Sequence, residues 1–365
     1  MEDDGQRYSS LLLEIPTVKV TLASYHTAIL RHGGPQTQIL QTKRYLEERG
    51  VDVELFNPWA ERATALDSDL FHLYASNFGT YDLARYLNAH LVRFVSSPIF
   101  YTRRSPRTIR FVSAVEKVIR KTGGFWSDYG FSRDICHWSK MVLPNTASEA
   151  SLITQGLGIP VSKTEVVPNG VEERFEHGDP DLFVKKYGIN DFILNVGHIG
   201  VERKNTLALI RALRKIDHPA VIIGRVYPSE EGNLCLMEAE ADKNLTLIQG
   251  IDHDSEMLAS AYAACSVFAL PAKYETPGIA ALEAGLAGAQ VVITPHGGTK
   301  DYFEDMATYV DPYSIPSIER GIRSALDTGR DSRLQEHVRK NFLWQNVAEK
   351  TANIYRRILD STPAL

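Results

Sequence analysis

The sequence predicts an α/β protein built from two doubly wound, parallel-sheet domains. Each half of the chain repeats the order strand, loop, helix, strand, which is typical of parallel sheets with helical crossovers. The length of 365 residues also fits two domains of roughly 100–200 residues each. We expect an N-terminal domain over residues 1–180, a C-terminal domain over 181–345, and a last helix over 346–365 that packs back on the N-terminal domain.

The first half opens with a strand–helix–strand unit. Residues 17–23 and 51–56 alternate apolar and polar side chains, as half-buried strands do, and residues 36–49 have helix-forming composition. The loop between the first strand and the helix carries Gly33 and Gly34. A right-handed crossover then makes the two strands parallel.

The second half repeats this order more clearly. It contains five short apolar strands, at residues 192–197, 220–224, 245–248, 267–270 and 291–294. Helix-like stretches lie between them, at residues 205–216, 256–264 and 279–287. A turn at 167–171 and a charged stretch at 172–186 indicate the boundary between the domains.

The composition excludes several classes of protein. Hydrophobic residues make up 44% and charged residues 23%, as in ordinary globular proteins, and the net charge of −5 argues against a nucleic-acid-binding protein. Cys136, Cys235 and Cys265 form no C-x-x-C pair, so we expect neither a disulfide framework nor a zinc site. We find no apolar run of about 18 residues and no basic segment before an apolar one at the N-terminus, so we expect a cytoplasmic protein.

In proteins of this class the ligand lies at the carboxyl ends of the strands, in the cleft between the domains. Neither half has the G-x-G-x-x-G spacing of dinucleotide-binding domains, since Gly33–Gly34 and Gly197–Gly200 do not match it. A nicotinamide or flavin dehydrogenase therefore loses its main support. We also find no acidic metal site.

The stretch from 270 to 294 is the most informative. A strand ends at Leu270, a loop carries Glu275, Pro277-Gly278 opens a helix, and Glu283 lies inside that helix. The free N–H groups at a helix start bind phosphate or sugar oxygens, and a carboxylate can accept two hydrogen bonds from a ribose diol. Three pairs of glutamates lie eight residues apart in the sequence: Glu165/Glu173, Glu230/Glu238 and Glu275/Glu283. Only the third pair lies on a strand–loop–helix turn.

In that context the stretch closely resembles the glutamate-pair motif of retaining glycosyltransferases of family 4, which have the GT-B fold of two Rossmann-like domains. The resemblance covers most of the chain, because four more segments resemble motifs of this family in the same order. They are VVPNGVE at 166–172 for the interdomain turn, NVGHIGVERKN at 195–205 for the diphosphate-binding loop, TPHGGTKD at 294–301 for the Gly-Gly loop, and FLW at 342–344 for the aromatic pair before the last helices.

The resemblance implies a role for each matching residue. Glu275, Lys204 and Arg203 would be catalytic. Glu283 would bind the nucleotide ribose, and Lys204 would pair with the diphosphate. The other donor-binding residues that it implies are Gly33, Gly34, Gly197, His198, Gly250, Ile251, Thr276, Pro277, Gly278 and Ile279. It implies no cofactor and no metal for catalysis.

Two departures from the family pattern leave a non-catalytic role open. His198 stands where the family usually carries an arginine, and an imidazole clamps a diphosphate less well than a guanidinium, although Arg203 could substitute. The family often has a histidine after a strand of the N-terminal domain, and Ser97 takes that place here. We expect His26 and His72 to be structural, and Trp126, Trp138 and Tyr129 to line the core or an acceptor wall.

A basic stretch at residues 101–122 has seven cations and one acid. From Pro106 it is predicted to be helical, with the apolar residues Ile109, Val112, Val115 and Ile119 in one stripe. We expect Arg103, Arg104, Arg107 and Arg110 to contact a phosphate-bearing acceptor or an anionic membrane, at ~1 kcal/mol per cation near such a surface. A merely solvated face is the alternative.

The sequence therefore favours a retaining glycosyltransferase that uses a nucleotide-diphosphate sugar of UDP, GDP or dTDP type. The acceptor would be a glycan or a lipid-linked molecule in cell-surface polysaccharide, lipopolysaccharide or glycolipid synthesis, at the inner face of the membrane. A sugar-nucleotide epimerase and a non-catalytic nucleotide-sugar-binding subunit remain alternatives. A phosphorylase is disfavoured because we find no pyridoxal phosphate lysine motif.

Overall fold

A computed structural model describes residues 18–28, 33–61, 66–120, 123 and 126–361. Within them the chain forms two lobes, each with a wholly parallel sheet between helices, so the predicted fold class is confirmed. The prediction about the first sixteen residues lies outside the described residues, as do Lys121 and Thr122 of the basic stretch. None of the described helices is long and apolar enough to cross a bilayer.

The N-terminal lobe has a four-stranded sheet in the order β2-β1-β3-β4. Every residue of β3 is buried, because helices cover both faces of the sheet. The strands are β1 Lys19–Ser24, β2 Asp52–Leu55, β3 Leu70–Tyr74 and β4 Phe94–Ser97. The helices are α1 Gly34–Glu47, α2 Phe78–Ala89, α3 Pro106–Ile119, α4 Asp128–Trp138 and α5 Ala147–Ser151, which continues into a π-helical turn at Leu152–Leu157.

The predicted apolar stripe of α3 is wrong in part. Ile109 is buried, but Val115 and Ile119 are 41% and 40% exposed. Glu116 is buried in their place, because its carboxylate accepts hydrogen bonds from the backbone N–H and the hydroxyl of Ser127 at the start of α4. The need to cap α4 therefore fixes the rotation of α3 and turns apolar side chains outward.

The C-terminal lobe has a six-stranded sheet in the order β10-β9-β8-β5-β6-β7. The strand order reverses between the neighbours β5 and β8, so the loops after these two strands meet at the topological switch point. The strands are β5 Ile193–Val196, β6 Ala220–Ile223, β7 Leu245–Ile248, β8 Val267–Leu270, β9 Gln290–Ile293 and β10 Thr308–Tyr309. The helices are α6 Pro180–Tyr187, α7 Thr206–Leu213, α8 Glu230–Glu240, α9 Glu256–Ala264, α10 Ile279–Leu286, α11 Thr299–Phe303, α12 Ile315–Thr328 and α13 Ser332–Phe342.

The last helix, α14 Trp344–Asp360, lies against the N-terminal lobe and shares its hydrophobic core. The chain crosses between the lobes where the N–H of Trp344 donates to the carbonyl of Val171 at 3.1 Å. The buried indole of Trp344 stacks on Tyr45 of α1. A Cβ at Gly170 would lie 2.5 Å from that indole, so the turn needs glycine there.

Candidate active site

Glu275 lies in the loop after β8 and is only 5% exposed. The Lys204 ammonium donates a hydrogen bond to its Oε1 at 2.7 Å, and Arg203 Nη1 lies 3.0 Å from the same oxygen. Burial works against ionisation of Glu275, but the charges of Lys204 and Arg203 outweigh it and lower the pKa of the carboxyl. The loops after β5 and β8 thus place an ionised carboxylate between two cations at the switch point.

The backbone holds Glu275 rigidly in place. Its N–H donates to the carbonyl of His296 at 3.1 Å, and its carbonyl accepts from the N–H of Gly298 at 2.9 Å. A Cβ at Gly297 would lie 1.9 Å from the Glu275 carbonyl oxygen, and the φ of +101° at Gly297 also requires glycine. The Gly-Gly pair therefore lets the loop after β9 pass directly beside Glu275.

The start of α10 follows at once. The Thr276–Pro277 peptide is cis, and Gly278, in the left-handed region at φ +91°, precedes the first helical residue, Ile279. These residues bring the amide end of an eight-residue helix next to Glu275. That end favours negative charge.

Glu283 lies in the second turn of α10 and is 3% exposed. Its Oε1 lies 2.8 Å from Nε2 of His253, and its Oε2 accepts a hydrogen bond from the Tyr262 hydroxyl at 2.7 Å. Each carboxylate oxygen can accept a further hydrogen bond. The sequence analysis missed both partners, although His253 follows β7 closely enough for a search of strand ends to find it.

His253 links Glu283 to a second buried carboxylate. Its Nδ1 lies 3.7 Å from Glu172, whose Oε1 is 3.3 Å from Arg174. Partial burial opposes a charge on His253, but the hydrogen bond and charge of Glu283 outweigh it and raise the pKa of His253 to about 9. Among the described residues, Glu172, His253 and Asp254 are the one group with the spacing of a metal site. The Arg174 cation beside Glu172 disfavours a metal ion there.

The loop after β5 carries Lys204 and is closely packed. Asn205 lies in the left-handed region and donates through its side chain to the carbonyls of Pro271 and Pro312, at 2.9 and 2.7 Å. A Cβ at Gly224 would lie 1.8 Å from the carbonyl of Gly197. Asn205 therefore ties Lys204 to the end of β8, a role that the sequence analysis missed.

The other predicted donor-binding residues lie on nearby loops. His198 is half-buried in the loop after β5, and Ile251 packs partly against the hydrophobic core after β7. Gly250 has a φ of +81°, and a Cβ there would meet no atom within 4 Å. Gly33 precedes α1, and the space beside Gly34 is also open.

The N-terminal lobe has a cavity of about 650 Å³ at the carboxyl ends of its strands. The loops after β1, β3 and β4 form its wall, with Pro35 from the start of α1 and residues of α4. Half of its lining residues carry aromatic rings or hydroxyl groups, among them Tyr25, Phe100, Tyr101, Tyr129 and Ser132. The wall also holds one cation, Arg104, and one acid, Asp128. Such a surface suits a sugar ring.

The structure separates the four predicted arginines. Arg103 reaches the C-terminal lobe, where it donates to the carbonyl of Lys273 at 3.3 Å. Arg104 lines the cavity just described, and Arg107 and Arg110 line a second cavity beside α3.

His26 and His72, the two histidines expected to be structural, also differ. His72 is buried, with its ring nitrogens 2.6 Å from the Tyr355 hydroxyl and 2.9 Å from the Ser97 hydroxyl. Burial lowers the pKa of His72 to about 3, so the ring is neutral and ties β3 and β4 to α14. Ser97 is engaged in this contact, and His26 lies exposed in a short helical turn.

Comparison with known proteins agrees with this geometry. Residues 183–341 match the family model described as Glycosyl transferases group 1. An uncharacterized glycosyltransferase of Methanocaldococcus jannaschii is 26% identical in an alignment of 295 residues that covers 73% of this chain and 73% of that protein. These matches support a glycosyltransferase of the group 1 type.

The solved structures confirm the GT-B fold. Sucrose-phosphate synthase from Thermosynechococcus elongatus superposes with a TM-score of 0.72 at 17% identity, over 94% of this chain and all of that one. The Anabaena protein HepE in complex with UDP and glucose gives a TM-score of 0.69 at 16% identity, also over 94% of this chain and all of that one. Both superpositions extend over the two lobes of this chain.

Proposed function

We propose that this protein transfers a sugar, with retention of anomeric configuration, from a nucleotide-diphosphate donor in the C-terminal lobe to an acceptor in the N-terminal lobe. One observation carries the proposal. A buried, ionised Glu275 lies between Lys204 and Arg203 at the switch point, beside the amide end of α10. This arrangement binds a diphosphate and a sugar side by side.

The cations act on the leaving group. As the glycosidic bond breaks, positive charge develops at the anomeric carbon and negative charge on the departing diphosphate. Lys204 and Arg203 stabilise that negative charge more in the transition state than in the ground state, which lowers the barrier. Glu275 accepts hydrogen bonds from the donor sugar. The acceptor hydroxyl oxygen bonds to the anomeric carbon on the face that the diphosphate leaves, and the departing phosphate takes the hydroxyl proton, so the configuration is retained. The two cations balance the charge of the diphosphate, and we assign no metal to the step.

Glu283 holds the ribose. Tyr262 and His253 fix the carboxylate through one hydrogen bond to each oxygen, and one lone pair on each oxygen remains for the two ribose hydroxyls. The base then lies near Gly250 and Ile251. Because the structurally similar HepE was solved with UDP and glucose, a UDP sugar is the first donor to test, and GDP and dTDP sugars come next.

The N-terminal cavity takes the acceptor. Its aromatic and hydroxyl groups fit a glycan or the sugar part of a lipid-linked molecule, and Arg104 suits a phosphate on it. This is consistent with cell-surface polysaccharide, lipopolysaccharide or glycolipid synthesis.

A contact with the inner face of the membrane belongs to the same proposal. The outer side of α3 exposes Phe111 and Val118, at 70% and 67%, close to Arg107 and Arg110. Apolar side chains flanked by cations suit anionic lipid. Co-sedimentation with phosphatidylglycerol vesicles should exceed that with phosphatidylcholine vesicles, and the double variant Phe111→Ser/Val118→Ser should lose it. Equal and negligible binding to both vesicles would remove this part.

Turnover decides the function. Thermal-shift screening of UDP, GDP and dTDP identifies the base, because a ligand of the native state raises its melting temperature. Incubation with the matching nucleotide sugars and product analysis should then show transfer or slow hydrolysis, lost in Glu275→Gln. Interconversion of the donor sugar would favour an epimerase. Binding without any turnover would favour a non-catalytic subunit.

A further inference from the structure

The two lobes touch beside Glu275. The ring of Tyr101, in the loop after β4, stacks on Tyr274, with centroids 4.5 Å apart and planes at 29°. Arg103 donates to the carbonyl of Lys273 at 3.3 Å and to the hydroxyl of Tyr313. Its guanidinium also lies 5.2 Å from the ring centre of Tyr313. We call these contacts of Tyr101 and Arg103 the interlobe clasp.

The C-terminal side of the interlobe clasp is part of the donor site. The N–H of Lys273 donates to the carbonyl of Arg203 at 2.8 Å, and Arg203 Nη1 donates to the carbonyl of Tyr274 at 3.0 Å. The same Arg203 nitrogen lies 3.0 Å from Glu275. Any shift of Tyr274 therefore moves the Arg203 cation, which is hydrogen-bonded to its carbonyl, and Glu275, which follows it in the chain.

The N-terminal side of the interlobe clasp is part of the acceptor cavity. Tyr101 lines that cavity, in a loop that Glu149 holds from behind. The Glu149 carboxylate accepts the N–H of Phe100 at 2.7 Å and the N–H of Asn145 at 2.8 Å. The loop also contains Ile99 in the left-handed region, at φ +52°. The base of the loop is fixed, and its tip reaches across to the other lobe.

We propose that Tyr101 and Arg103 are positioning residues that couple the acceptor cavity to the donor site. This inference rests on the proposed function. Tyr101 is a wall of the cavity on one side and the stacking partner of Tyr274 on the other, so an acceptor that orders the loop also orders Tyr274, Arg203 and Glu275. The interlobe clasp acts on turnover more than on nucleotide affinity. Glu283 and its partners lie outside it, Lys204 still pairs with the diphosphate, and Arg203 acts mainly on the charge that develops in the transition state.

The test compares Tyr101→Ala, Tyr101→Phe, Tyr274→Ala and the double alanine variant, with Tyr227→Ala as the matched control. Tyr227 is a half-exposed tyrosine of the C-terminal lobe, away from this contact. UDP affinity is measured by calorimetry, and kcat and KM are measured with the nucleotide sugar that the wild type consumes. We expect Tyr101→Ala to lower kcat about 10-fold with UDP affinity unchanged within twofold. Tyr101→Phe should keep kcat at the wild-type value, because the stacking on Tyr274 needs only the aromatic ring.

The double alanine variant should lose no more kcat than either single one, since both remove the same contact. Additive losses, a loss of UDP affinity equal to the loss of kcat, or unchanged kcat in Tyr101→Ala would overturn the proposal. A wild type without turnover would refute the proposed function instead. In that case small-angle scattering tests the interlobe clasp alone: Tyr101→Ala should enlarge the radius of gyration, and an unchanged radius rules the clasp out.

Discussion

Both lobes bury glutamates next to the cleft, but they partner them differently. In the C-terminal lobe, Glu275 is held by the side chains of Lys204 and Arg203. In the N-terminal lobe, Glu149 is held by the backbone N–H groups of Phe100 and Asn145.

The difference in partners separates a carboxylate that a ligand can reach from one that fixes a loop. A carboxylate held by long side chains can exchange those cations with an incoming diphosphate, since the side chains can turn toward it. A carboxylate held by backbone amides cannot be released without moving the loop itself. Burial and acidity alone therefore do not separate Glu275 from Glu149, and we propose that the kind of partner does.

The largest expected effect is a loss of sugar transfer when a cation beside Glu275 is removed. Lys204→Ala should lower transfer by about 10²–10³-fold, the usual cost of removing one group that stabilises developing negative charge. Of the two described cations at Glu275, Arg203 would remain. Steady-state kinetics of the variant and of Lys204→Arg, with circular dichroism to verify folding, measure this effect. Full activity in Lys204→Ala would place the diphosphate elsewhere.

For Glu149, which is held by backbone amides, the comparison predicts that substitution lowers stability and leaves nucleotide binding unchanged. Glu149→Ala leaves two buried N–H groups without acceptors, which costs about 2–6 kcal/mol of unfolding free energy at 1–3 kcal/mol each. Urea unfolding measures the loss, and UDP affinity should stay within twofold. The exposed Glu336→Ala serves as the control and should be neutral. A stable Glu149→Ala with weak UDP binding would reverse the comparison.

Gly297 extends the comparison, because its backbone geometry supports Glu275, the proposed catalytic carboxylate. Gly297→Ala adds a Cβ 1.9 Å from the Glu275 carbonyl at a positive φ, and we expect about 2–3 kcal/mol of destabilisation and reduced transfer. Gly288→Ala is the matched control. It has a φ of +87° but its Cβ meets only one atom, at 3.9 Å, so it should cost about 1 kcal/mol and leave transfer intact. Equal losses in thermal unfolding would mean that the collision is relieved.

The smallest effect is a dependence of stability on pH. The folded pKa of His253, about 9, exceeds its ordinary value of 6.5, so its contribution is complete below pH 6.5 and is lost as the pH rises to 9. We expect about 1 kcal/mol, well below what the shift alone implies, because the side chain is 37% exposed and solvent screens the pair. Unfolding measured between pH 6 and pH 10 should show this decline, and His253→Gln should flatten it. A decline that persists in the variant would assign it to another group.

The sequence alone predicts much of the C-terminal lobe. Its short apolar strands and the loops after them place Lys204 and Glu275 at strand ends, where the topology of parallel sheets brings loops together. The five predicted strands of this lobe are confirmed, although β10 and the helices α6, α8, α11 and α12 were not predicted. The N-terminal lobe was less predictable: beyond the first βαβ unit, the sequence analysis did not identify β3 or α2.

The tertiary structure decided the partners. His253 and Tyr262 reach Glu283 from other elements, and Tyr101 reaches Tyr274 from the other lobe. The rotation of α3 depends on a cap for α4. The periodicity of a strand or a helix is visible in the sequence because it arises from residues that are close together in the chain. Hydrogen bonds and stacking between distant segments leave no such period, so only the folded chain shows which side chains meet.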